Sequence, residues 1–207
     1  IYSSYNMHKF FLLLSLLPVL TLANDSAYNS VRDNVFWKDF YVDKYHTLYC
    51  AVSKNAGQKV TLEHVYPAHW MAEANGCENR NSCDLVAYKD ASSDLHNLWP
   101  SLKRYNSSRG KLPFKKIPGE IAKFPEDGCD YERVKTGVEP RNYAKGEIAR
   151  SMLYMFWKYK LPHHEQLNLM VEWANKYKAS KEEKWRNKRI AELQANTNPF
   201  IDDPDMA

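Results

Sequence analysis

Apolar residues recur at helical spacing through the last third of the chain. Ile148, Met152, Met155, Phe156 and Tyr159 form one stripe, ended by Pro162. Leu167, Met170, Val171, Ala174 and Tyr177 form a second, and Lys181 to Gln194 reads as a third, more polar helix. These Met and aromatic stripes are core faces, not cofactor boxes. Near the other end, Val31, Val35, Phe36 and Phe40 give a further stripe that Asp25-Ser26 can cap. The β-branched run Val60 to Val65 predicts a strand ending near Pro67, after a turn at Lys54 to Gln58 that contains Gly57. Residues 71–93 are polar and predict a loop-rich excursion. Pro100 can open a helix that Gly110 closes. Residues 111–140, rich in Pro and Gly, predict a long irregular connection, and Asp202-Asp203-Pro204-Asp205 a frayed tail. The expectation is one mainly helical α+β domain over residues 24–207.

The start of the chain carries a different pattern. Residues 1–23 hold a single charge, Lys9, before an almost wholly apolar run from Phe10 to Leu22 and then Ala23. That order matches a secretory signal, with Ile1 to Asn6 upstream of a plausible start at Met7. The run is shorter than the roughly 20 apolar residues of a membrane span, and Pro18 interrupts it. The expectation is therefore export to a periplasm or the outside, with no membrane anchor once the signal is gone. Export also changes the meaning of four cysteines. In an oxidising compartment an even count favours disulfides, and four cysteines allow three pairings. Cys77 and Cys83 are near enough to close a small loop, which leaves Cys50 for Cys129. The competing reading is a zinc site drawing on Cys77, Cys83, His64 or His69, but the spacing fits no usual zinc pattern.

Composition sets only bounds. The 207 residues are 44% hydrophobic and 26% charged, which excludes a disordered or fibrous chain. The net charge of +4 permits an anionic partner without requiring one. The chemistry is local. Of seven histidines, three (His64, His69 and His96) fall in residues 63–110, together with Glu63, Asn97, Asn106 and Arg109. There is no GxSxG, P-loop, GxGxxG or HExxH, so serine hydrolases, nucleotide-dependent enzymes and zinc proteases of those kinds lack their signatures. A carboxylate such as Glu63 is a hard ligand for Mg²⁺ or Ca²⁺, and a neutral imidazole such as His64 is a general base near pH 7. Adjacent strand residues point to opposite faces, so both serve one site only where the strand end is distorted or the metal lies beside it. In a helix opened by Pro100, Leu102, Tyr105, Asn106 and Arg109 share one face, apolar first and then polar. An Asn carbonyl can complete a hard-metal site and an Arg can hold a phosphate; helix-end polar groups explain the pair equally well.

Taken together, these segments resemble the endonuclease I family, periplasmic and extracellular deoxyribonucleases of the His-Me-finger (ββα-metal) type. The resemblance rests on Glu63-His64-Val65-Tyr66-Pro67-Ala68, Arg80 three residues before Cys83, Asp94-Leu95-His96-Asn97-Leu98-Trp99-Pro100-Ser101, and Asn106 with Arg109-Gly110. It continues more loosely through Ala144 to Arg150, Arg189-Ile190-Ala191 and Asn198-Pro199-Phe200, covering roughly Ala27 to Ile201. It implies a His-Me-finger core, with His64 as general base, Glu63 and Asn106 as ligands of Mg²⁺ (Ca²⁺ or Mn²⁺ as alternatives), and Arg80 as a catalytic phosphate contact. Arg109 is a second candidate for phosphate. Asn97 and His96 are expected to support the site without binding metal, and His69 lies outside the motif. The family pattern has an acidic residue where Ser92 stands, so that carboxylate is absent here. The implied activity is cleavage of DNA, and of RNA as a further substrate, to 5′-phosphate ends by a monomer. A non-catalytic nucleic-acid-binding protein on the same fold is the alternative, supported by the 14% aromatic content that can stack bases.

Overall fold

The computed structural model describes residues 27–119 and 121–207. The expected signal and the cap at Asp25-Ser26 lie outside them. Helix α1 (Ala27–Ser30) runs straight into a wider π-helical segment, Val31–Phe40. Strands β1 (Tyr45–His46) and β2 (Ser53–Lys54) pair as a short ribbon. Strand β3 (Thr61–His64) leads through Pro67 into α2 (Ala68–Ala74). Helix α3 (Val86–Ser93), strand β4 (Leu98–Ser101) and helix α4 (Lys103–Arg109) follow. Then come the hairpin β5 (Tyr131–Val134) and β6 (Gly137–Pro140), and helices α5 (Asn142–Tyr159), α6 (Leu167–Lys176), α7 (Lys181–Gln194) and α8 (Pro199–Asp202). Among the described residues, no helix is long and apolar enough to cross a membrane.

Strands β3 and β4 pair antiparallel, with Leu62 opposite Pro100, Glu63 opposite Trp99 and His64 opposite Leu98. All four residues of β4 are buried. The reason is that this two-stranded sheet divides two hydrophobic clusters and has core on both faces. Leu62 and Leu98 face the smaller cluster, built with Phe36, Phe40, Tyr45 and Ile190. Trp99 faces the larger one, built on α5 and α6 through Ile148, Met152, Met155, Met170 and Trp173. With period-2 alternation, Glu63 therefore points toward the larger cluster and His64 toward the smaller.

Four sequence expectations need correction. Pro100 does not open a helix; it lies in β4, and α4 starts only at Lys103. Pro100 is tolerated there because its backbone faces away from β3, where its carbonyl accepts the Leu48 N–H at 2.8 Å. The excursion 71–93 contains α2 and α3, whose apolar residues Trp70, Met71, Tyr88 and Ala91 are too few for a readable stripe. The connection 111–140 contains the β5–β6 hairpin. The terminal residues form α8 and a short 3₁₀ turn, with Phe200 and Ile201 buried. The three long C-terminal helices fall where their stripes predict them.

Two disulfides are formed, Cys50–Cys129 and Cys77–Cys83, which removes the zinc reading of these cysteines. The first joins residues 79 apart in sequence. Closing so long a loop restricts the unfolded chain, a stabilisation of about 4 kcal/mol. Replacing Cys50 and Cys129 together by Ala should lower the free energy of unfolding in urea by about that amount; an unchanged free energy would show that the bridge adds nothing.

Candidate active site

Helix α4 lies along the free edge of β3. An edge strand presents unpaired carbonyls, and α4 satisfies them with side chains. Asn106 Nδ2 donates to Leu62 O at 2.7 Å and to Thr61 Oγ1 at 3.2 Å. Arg109 Nη1 donates to His64 O at 2.9 Å and Nη2 to Val65 O at 2.7 Å. Arg109 also donates through Nε to Leu112 O at 3.1 Å and through Nη1 to Glu63 Oε1 at 2.9 Å. It is 1% exposed. Gly110, at φ +54, ends α4 in a conformation that suits glycine and turns the chain back toward Leu112.

The candidate role of Arg109 as a phosphate contact needs correction. Its guanidinium is buried and four of its five N–H donors are engaged within the protein. It holds the end of β3.

Glu63 is buried at 1% exposure and accepts two hydrogen bonds on Oε1, from Arg109 and from Tyr49 Oη at 2.8 Å. Burial pushes its carboxyl up to about 7, against the pull of Arg109 and of both hydrogen bonds. Among the described residues no hydrogen bond to Oε2 is found, and Glu63 borders a cleft of about 1030 Å³. Asn106 borders the same cleft. Its amide nitrogen is spent on β3, which turns Oδ1 away from the strand. Two residues with hard oxygens thus border one space, a donor set suited to a Mg²⁺-type ion that keeps several waters. Among the described residues no group of three or more His, Cys, Asp or Glu could hold a metal.

His64 ends β3 on the same cleft. Its Nε2 is 2.8 Å from Ser92 O, and a carbonyl only accepts, so Nε2 carries the hydrogen and Nδ1 is the basic nitrogen. Ser92 is in the last turn of α3, where helix carbonyls lack intrahelical partners. Burial lowers the imidazole to about 4, with the charges of Arg80 and Arg109 adding to it and the Ser92 bond opposing. His64 is therefore neutral at pH 7. Ser92 supplies its backbone, while its hydroxyl turns back to Lys89 O at 3.2 Å.

Strand β3 stops at His64 because Asn97 takes over its pairing. Asn97 Oδ1 accepts from Tyr66 N at 2.7 Å and Nδ2 donates to Tyr66 O at 3.0 Å. Asn97 is fully buried and does not line this cleft. His96 lies further off, its Nε2 3.1 Å from Asn196 Oδ1 and its ring against Tyr154. Arg80 is exposed in the loop closed by Cys77–Cys83 and borders the cleft. Lys89, Lys103 and Lys111 add positive charge to the rim, as does His69 when protonated; His69 lies 2.9 Å from Glu73. Sequence reading missed Tyr49 and the Ser92 carbonyl. Tyr49 precedes Cys50 without a motif, and a carbonyl leaves no mark in a sequence.

Two antiparallel strands followed by a helix, with a carboxylate, an imidazole and an amide converging on one cleft, define the class of site. The family model described as Endonuclease I matches residues 18–205, and the chain belongs to that family. It is 31% identical over 154 residues to a periplasmic deoxyribonuclease of Aeromonas hydrophila, covering 72% of this chain and 65% of that protein. It is 29% identical over 154 residues to Endonuclease-1 of Buchnera aphidicola subsp. Acyrthosiphon pisum, covering 72% and 62%. An extracellular ribonuclease of Bacillus subtilis is 31% identical over 143 residues, covering 60% of this chain and 48% of its own length. These three relatives are longer, and the chain spans under two thirds of each.

Removing Arg109 tests the architecture. Arg109→Met leaves the Glu63 carboxylate buried beside an apolar group and should cost about 3–5 kcal/mol by chemical denaturation. Arg109→Lys should recover little, since one ammonium cannot replace the planar fork. Adding Glu63→Gln to Arg109→Met should restore part of the loss. A single-variant loss below about 0.5 kcal/mol, the ordinary range for surface changes, would refute the clamp.

Proposed function

We propose that the chain is an exported, metal-dependent endonuclease with a His-Me-finger core. On this reading it hydrolyses phosphodiester bonds of DNA, and of RNA as a further substrate, as a monomer with little base preference. The observation that carries it is that Glu63, Asn106 and His64 border one cleft, with no hydrogen bond to Oε2, Oδ1 or Nδ1 among the described residues. The relatives named deoxyribonuclease and ribonuclease support both the class of reaction and the breadth of substrate. Their periplasmic and extracellular names agree with the signal expected at residues 1–23.

A divalent cation held by Glu63 and Asn106 would supply Lewis-acid stabilisation of charge at the scissile phosphate and the departing oxygen. His64 Nδ1 takes the proton of an attacking water, whose oxygen bonds phosphorus as the phosphorus–O3′ bond breaks and the released 3′-oxygen takes a proton from solvent. The phosphate then stays with the 5′ end. General-base assistance of this kind is worth roughly 10²–10⁴-fold. Ser92 O holds the tautomer that keeps Nδ1 basic. Arg80, exposed at the cleft rim, neutralises phosphate charge, with the rim lysines extending the contact. Backbone contacts carry no sequence information directly, which fits weak base preference.

Nicking of supercoiled plasmid tests the reading. Wild-type protein should relax the plasmid in Mg²⁺, stop on addition of EDTA and resume with excess Mg²⁺. His64→Ala should bind DNA with cleavage reduced by about 10²-fold or more. Cleavage that persists in EDTA, or full activity in His64→Ala, would overturn it.

A further inference from the structure

The Ser92 carbonyl fixes one nitrogen of His64 but leaves the ring free to rock about that hydrogen bond. A second contact bears on the ring itself. Tyr28, in α1, borders the cleft, and its ring centroid lies 4.9 Å from that of His64 at an interplanar angle of 42°. This is a packing distance for tilted rings. Tyr28 is in turn held from three sides. It packs on the smaller cluster with Val31 and Val35, in a helix whose next turns bury Phe36 and Phe40 completely or nearly so. Its helix lies against α3, the helix that carries Ser92. The Arg32 guanidinium carbon is 5.7 Å from the Tyr28 ring centroid, and Arg32 is fixed by Asp33 at 2.7 Å and by Asn29 Oδ1 at 3.1 Å. The N-terminal helix therefore delivers an anchored aromatic face onto the imidazole, from the side opposite to the core that holds Glu63.

We propose that Tyr28 is a positioning residue for His64: its ring, packed on the imidazole, keeps Nδ1 aimed into the cleft while Ser92 O holds Nε2. The proposal rests on the reading of His64 as the general base. Its physical basis is that reacting groups must be held within a fraction of an ångström, and small misplacements are costly in rate. The ring does this work, so the hydroxyl is dispensable. The N-terminal helix then has a functional as well as a packing role.

Steady-state plasmid cleavage and chemical modification of His64 test this together. Tyr28→Ala should lower kcat by on the order of ten-fold with KM within about two-fold, because orientation and not binding is lost. Tyr28→Phe should restore kcat to within about two-fold of wild type. Independently of activity, and without metal, carbethoxylation of His64 by diethyl pyrocarbonate, followed by peptide mass, should be several-fold faster in Tyr28→Ala and near the wild-type rate in Tyr28→Phe. Tyr28→Leu, which keeps apolar bulk without the ring, replaces Tyr28→Ala if that variant does not fold, with the same expected directions. Wild-type kcat together with an unchanged modification rate in Tyr28→Ala would overturn the proposal. So would Tyr28→Phe as slow as Tyr28→Ala, which would assign the effect to the hydroxyl. A raised KM at constant kcat would also overturn it, by making Tyr28 a substrate contact. Failure of the base assignment shows separately, as full activity in His64→Ala.

Discussion

The ion pair of Arg109 with Glu63 is the interaction on which the cleft depends. A carboxylate buried at 1% exposure is costly unless it is paired and hydrogen-bonded, and Glu63 receives Arg109 and Tyr49 on the same oxygen. The same guanidinium takes the carbonyls of His64 and Val65, so one side chain both pairs with Glu63 and fixes the backbone at His64. Both bonds fall on Oε1, and among the described residues none is made to Oε2 of this cleft-lining residue. A planar donor fork is suited to this multiple duty, which a single ammonium cannot perform.

The surroundings make the clamp rigid. The β3–β4 sheet is a shared wall between two hydrophobic clusters, so Leu62, Leu98 and Trp99 resist any slip in register, which would exchange Glu63 and His64 between faces. Tyr49, the second partner of Glu63, is adjacent to Cys50, and the Cys50–Cys129 bridge brings Tyr131 close by, with its ring 5.3 Å from that of Tyr49. The long-range disulfide therefore stands behind one side of the acid. The short one closes the loop that presents Arg80 at the rim. Rigid parts hold Glu63, Asn106 and His64, while Arg80 is exposed at the rim.

Much of the helical frame was legible because α5, α6 and α7 bury continuous stripes, and a period of 3.6 survives any tertiary context. The short elements were not. In α2 and α3 only a few residues are buried, and the hairpin β5–β6 hides among prolines and glycines that read as loop. Pro100 misled because a proline at a strand position facing away from its partner looks, in sequence, like a helix start. Glu63, His64 and Asn106 could be named because the motifs EHVYPA, DLHNLWPS and NSSRG occur together in order; spacing alone left them ambiguous. Arg109 could be noticed but not understood, since its partners are 44–46 residues away. Ser92 O and Tyr28 act on His64 from elements far apart in sequence, which no local pattern records.

Calorimetric titration of Mn²⁺, without nucleic acid, tests the central claim most directly: that Arg109 and β3 leave one oxygen each of Glu63 and Asn106 to share an ion. The account predicts one site in the wild-type protein, and heat of binding lost or greatly weakened in Glu63→Gln and in Asn106→Ala, both still folded. Binding of undiminished affinity in Asn106→Ala would contradict it.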